Sequence, residues 1–219
     1  MRPLMVQSRS ASIGYTVQLR FTPLMKKRLT HRALKMVERS LEYFPELHGK
    51  KITVGYTRTH LGSASIVYRR ETVSRLIVRL KVRKLTYQTI GHELTHLVQG
   101  LAHGDRSRPK SVDEQKIPAG EKQCDIWTLA RHALFCDDAP TYIKMPKIVR
   151  EHWPEYADSM RQLCIAAIAR RSIHRLYIQW LEAEAAKLIT TRPRQKTTMA
   201  QLKLPFVAMN EEGGSLAET

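Results

Sequence analysis

Apolar and polar residues alternate along 75–83. Leu76, Val78, Leu80 and Val82 fall on one side, and Arg75, Ile77, Arg79, Lys81 and Arg83 on the other. Period two with one apolar side predicts a half-buried strand. Residues 51–56 alternate in the same way, and 65–70 predicts a third strand. Elsewhere the period is helical. Thr22 as cap and Pro23 at the first position open a helix expected over 23–44, with Leu34, Val37, Leu41 and Phe44 as its stripe. A second helix is expected from Thr86 as cap to about His103, with Gly104 as its stop. A helix carrying Glu121 follows and is expected to end near Pro140. A long helical pattern over 155–189 contains Leu163, Ala167, Ile168, Ile173, Leu176, Trp180 and Leu181.

The second helix carries the chemistry. Its residues His92-Glu93-Leu94-Thr95-His96 match H-E-x-x-H. At about 100° per residue, Ile90, Leu94, Leu97, Val98 and Leu101 cluster roughly opposite the two histidines. The helix is therefore expected to bury one stripe and turn His92 and His96 toward a cleft. Two imidazoles one turn apart hold a zinc ion, and Glu93 becomes the general base for its bound water.

A catalytic zinc keeps three protein ligands and one open position. Glu121 is the best third ligand. Asp125 shares its helix face at i, i+4 and is placed to accept the outer N–H of a ligand histidine. His103 is an alternative only if the chain turns sharply after His96, since seven helical residues span roughly 10 Å. Cys124 is another, although it points off the Glu121/Asp125 face and reads as a small buried hydrophobe. Tyr142, His132 and Arg131 are candidate oxyanion stabilisers.

H-E-x-x-H followed about 25 residues later by E-x-x-x-D resembles the gluzincin metallopeptidases in their compact forms. It is also similar to the ImmA/IrrE-type peptidases. The resemblance spans about residues 20–140. It implies zinc on His92, His96 and Glu121, Glu93 as base, and Asp125 behind the ligands. It also implies an α+β fold: a compact zincin-like domain with a small, mostly antiparallel sheet packed on helices, then a C-terminal helical extension. The expected division is 1–145 for that domain, 146–190 for the extension, and 191–219 for a linker and disordered tail. The 103–120 segment reads as a loop over the cleft.

At 219 residues the chain can bury a substantial core. No run of 18 apolar residues exists and no apolar leader opens the chain, so neither a membrane span nor a signal peptide is expected. Three cysteines with no C-x-x-C fit reduced thiols and a cytoplasmic location. The net charge of +17 changes the list of partners. Beside a polypeptide substrate, it admits non-specific nucleic-acid contact led by phosphates. A nucleic-acid-associated protease similar to the SprT-like enzymes is then one alternative, and a non-catalytic basic module holding zinc is another. If strand 75–83 is the substrate edge, Arg75, Arg79, Lys81 and Arg83 would favour acidic or nucleic-acid-associated polypeptides along it.

Overall fold

The computed structural model describes residues 17–69, 72–104, 117–171 and 176–189. Four strands form one sheet: β1 (Gln18–Phe21), β2 (Lys51–Tyr56), β3 (Gly62–Arg69) and β4 (Thr72–Leu80), in the order β1-β2-β4-β3. The α+β class stands, and the sheet is mixed. β1 pairs with β2 and β2 with β4 in parallel, and only the β3–β4 hairpin is antiparallel. β1 and β2 are separated by two helical segments, which return the chain for parallel pairing, whereas β2 and β4 become parallel because the intervening strand β3 runs the other way at the sheet edge.

Alternation is realised as expected. Leu19, Ile52, Val54, Leu76, Val78 and Leu80 are all buried and face the helices. The apolar pattern expected to extend to Val82 ends earlier, because β4 stops at Leu80 and Val82–Lys84 is a 3-10 turn. β4 lies inside the sheet, between β2 and β3. The expected substrate edge is therefore not strand 75–83, and the edge next to the motif helix is β3.

The helix expected over 23–44 is two helices. α1 (Pro23–Lys26) starts at Thr22, whose hydroxyl accepts from Met25 N. α2 (His31–Leu41) restarts at Thr30, whose hydroxyl accepts from Ala33 N at 3.1 Å. A second capping threonine eight residues on resets the helix axis, and Met25, Met36, Val37, Leu41 and Phe44 all reach the same core.

α3 (Tyr87–Gly104) packs Ile90, Leu94, Leu97 and Val98 onto the sheet. α4 (Glu121–Arg131) lies between two cores. Its Ile126 and Leu129 enter a second cluster built with α5 (Lys147–Glu151), α6 (Trp153–Arg170) and α7 (Tyr177–Lys187). The pattern over 155–189 is thus two helices, which bury Met160, Cys164, Ala167, Leu181 and Ala185 in the cluster that also holds Ile126 and Leu129 of α4. Ile173 lies outside the described residues. Lys122 Nζ also pairs with Glu182 at 2.6 Å, tying the start of α4 to α7. Among the described residues, no helix is long and apolar enough to cross a membrane.

α3 and α4 approach closely at Gly91. A Cβ there would lie 2.6 Å from both Phe135 Cδ1 and Thr128 Cγ2. Gly91→Ala is expected to destabilise the protein by about 1–3 kcal/mol in urea denaturation. A gain of about 1 kcal/mol, the helix-propensity effect alone, would show that the helices are not in contact there.

Candidate metal centre

The start of α3 is held twice. Thr86 Oγ1 accepts from Thr89 N at 3.2 Å. The Asp137 carboxylate accepts from Tyr87 N at 2.7 Å and Gln88 N at 2.8 Å, placing negative charge at the helix N-terminus. With its apolar stripe anchored in the core, α3 presents His92, Glu93 and His96 on the other side. The two imidazole centroids are 4.8 Å apart.

α4 brings both expected carboxylates to them. Glu121 Oε2 is 3.0 Å from His92 Nε2 and 3.1 Å from His96 Nε2. Asp125, fully buried, accepts from His92 Nδ1 at 2.8 Å. Its two oxygens also accept from Gln88 Nε2 at 3.1 Å and from Tyr142 N at 2.6 Å. The expected i, i+4 pair thus divides its work: one residue faces the inner nitrogens, the other holds an outer one.

Gln99 does for His96 what Asp125 does for His92, and the sequence reading missed it. Its Nε2 donates to the carbonyls of Pro118 and Gly120, which turns Oε1 toward His96 Nδ1 at 3.1 Å. Both outer ring nitrogens therefore carry N–H, and both Nε2 atoms present lone pairs. Three acceptors, two Nε2 and Glu121 Oε2, then face one another. Such an arrangement requires a positive charge among them, either protons or a cation. His92 and Glu121 express the same demand. Burial lowers His92, but Asp125 and Glu121 outweigh it and raise its pKa. Burial raises Glu121, but His92 and His96 outweigh it and lower its pKa.

The separations suit zinc. Ligands about 2.05 Å from a tetrahedral ion lie roughly 3.3 Å apart, close to the observed 3.0 and 3.1 Å. A second set, His92, His96 and Cys124, also lies within 4.8 Å mutually. The Glu121 set is the better one. Cys124 Sγ sits 3.2 Å from His96 Nδ1, behind the ring, and donates to Gln99 Oε1 at 3.1 Å. Burial pushes its thiol well above the ordinary range, whereas a ligand must be a thiolate. As for His103, α3 runs unbroken to Gly104, without the turn after His96 that ligation would need; its side chain lies outside the described residues.

Glu93 is buried at 7 % exposure, and burial pushes its pKa up to about 7, with His92 lowering and Glu121 raising it. It borders an open cleft of about 880 Å³ lined by α3, β3, His60, Glu121 and Tyr142. β3 reaches the carboxyl at Gly62, where a Cβ would stand 2.6 Å from Glu93 Oε1. Tyr142 stacks on His92 with centroids 5.5 Å apart and faces the cleft. Arg131 and His132 do not reach it. Arg131 binds Glu46 at 2.8 Å and the Tyr43 carbonyl at 2.7 Å, and His132 stacks on Tyr43. Both are turned to the end of α4 distant from Glu121, as their position two to three turns on dictates.

Of the segment expected to loop over the cleft, residues 105–116 lie outside the described residues. No family model, curated protein or solved structure matches the chain.

Two outcomes follow from this geometry. Asp125→Ala is expected to weaken zinc binding tenfold to a hundredfold in chelator competition, because the His92 tautomer is released; unchanged affinity would remove Asp125 from the site. The second concerns Glu93 in metal-free protein. Its pKa rises from 4.5 to about 7 on folding. Its stabilising contribution is full below 4.5 and is lost as pH rises through 7. Glu93→Gln should therefore gain stability over wild type, by on the order of 3 kcal/mol, between about pH 4 and about pH 8 in chelator. Parallel pH profiles for the two proteins would contradict it.

Proposed function

We propose that the chain is a zinc-dependent metallopeptidase, with His92, His96 and Glu121 holding the ion and Glu93 acting as general base. The observation that carries this reading is the meeting of three lone-pair atoms beside a buried carboxyl in an open cleft. When bound, zinc polarises a carbonyl and makes water a stronger acid.

The chain's own residues supply the rest. Glu93, with a pKa near 7, takes a proton from the attacking water and returns it to the leaving amine. The bare Gly62 position leaves room for that carboxyl to stay in place. Tyr142, stacked on His92 at the cleft rim, is the candidate to donate to the developing oxyanion. β3 is the exposed edge beside the cleft, and an extended polypeptide pairs there through main-chain hydrogen bonds. The excess of positive charge favours acidic or nucleic-acid-associated polypeptides as substrates. Three free cysteines suit a reducing, cytoplasmic compartment.

Glu93→Gln tests the reading. Zinc stoichiometry should stay at wild-type level, while hydrolysis of an unfolded acidic protein falls by about 10²–10⁴-fold. Zinc binding with no hydrolysis by the wild type would instead make this a basic zinc-holding module.

A further inference from the structure

The sheet has one face packed on α2 and α3 and one face turned away from them. By the strand register, the second face carries Gln18 and Arg20 from β1, Lys51, Thr53 and Gly55 from β2, Arg75, Ile77 and Arg79 from β4, and Ser63, Ser65 and Val67 from β3. Arg20, Lys51, Arg75 and Arg79 are exposed. None of the four strands contains an aspartate or glutamate. Arg20, Lys51 and Arg75 also line one hollow of about 370 Å³ with Thr53, Ser74, Phe21 and Pro23.

Two ordinary explanations of such charge fail. Lysine and arginine commonly protect sheet edges from aggregation, but Lys51, Arg75 and Arg79 lie on β2 and β4, the two interior strands. Cross-strand charges also stabilise sheets when opposite in sign. Here the register that pairs Ile52 with Leu76 sets Lys51 beside Arg75, two like charges on adjacent strands. That placement costs stability that an external polyanion would offset.

We propose that this open sheet face binds the phosphate backbone of duplex nucleic acid without sequence preference. Arginine, lysine, serine and threonine are the usual donors to phosphate oxygens, and Ser63, Ser65 and Thr53 lie among the cations. Among the described residues, the strand register puts no aromatic side chain on the face itself; Phe21 reaches only the hollow beside it, and one ring is not the stacking platform of single-strand binders. Its apolar side chains, half-buried Ile77 and exposed Val67, stand among cations and serines and do not form the continuous apolar face of a membrane-surface element. The chain's own N-terminal segment is a poor occupant on charge, since residues 1–16 contain Arg2 and Arg9 and no acid. Ser63 and Ser65 line the cleft as well, so a bound duplex lies beside it. The face itself needs no metal, and its binding stands or falls apart from the peptidase reading.

The test is fluorescence anisotropy of a roughly 20-base-pair DNA duplex over a range of salt, with full-length protein both zinc-loaded and chelated. The variant Lys51→Ser/Arg75→Ser/Arg79→Ser is compared with Arg32→Ser/Lys35→Ser/Arg39→Ser. The second triple removes the same charge from exposed positions on α2, across the sheet. Each lost phosphate contact reduces the log–log salt slope by about 0.9, so the face variant should lose about 2–3 in slope and at least tenfold in affinity. The α2 variant should change by less than about one unit of slope. Retained thermal melting of both variants shows that the fold is intact. Equal losses in the two triples, or no salt-dependent binding by the wild type, would overturn the proposal. So would preferential binding of charge-matched polyglutamate or anionic vesicles over the duplex.

Discussion

Three atoms bearing lone pairs, His92 Nε2, His96 Nε2 and Glu121 Oε2, meet at 3.0 and 3.1 Å. Each outer histidine nitrogen is already committed, to Asp125 and to Gln99. Left to themselves, the three would repel; with a cation among them they become a cage. Everything around the site maintains this juxtaposition. Asp125 is tied to α3 through Gln88 and to the following segment through Tyr142 N. Gln99 holds the backbone just ahead of Glu121 through the Pro118 and Gly120 carbonyls. A single amide thus sets the tautomer of His96 and the position of the Glu121 carboxylate facing it.

The C-terminal helices belong to this arrangement rather than standing apart from it. α4, which carries Glu121 and Asp125, is packed against α3 on one side and α6 on another. Its Ile126 and Leu129 are buried among α6 and α7, and Lys122 is drawn to Glu182. The C-terminal helices therefore form the back wall of α4. The sheet has the complementary part: it packs the apolar stripe of α3 and sends Gly62 at the start of β3 up to Glu93. Removal of water from Glu93 raises its pKa to about 7, where a carboxyl can both accept and return a proton near neutrality.

Local periodicity made the strands and α3 legible, because one buried face repeats every two or 3.6 residues. It placed Leu76, Val78 and Leu80 inward, and set His92 and His96 opposite Ile90, Leu94 and Leu97. The i, i+4 spacing likewise put Glu121 and Asp125 on one face. Pairing order was not legible: nothing in 75–83 says that β2 and β3 flank it, so an interior strand read as an edge. β1 is only four residues long, too short to show a period. Gln99 was missed because its role depends on carbonyls 19 and 21 residues away. Its position three residues after His96, on the same face, was the available signal. The break at Thr30 was equally visible as a second capping residue, but the continuing apolar stripe obscured it.

Zinc-edge X-ray absorption on the reconstituted protein addresses the cage most directly. The arrangement of His92, His96 and Glu121 predicts a first shell of nitrogen and oxygen at about 2.0–2.1 Å, with no sulfur. A sulfur scatterer at about 2.3 Å would place Cys124 on the metal and contradict the account, as would a protein that takes up no zinc at all.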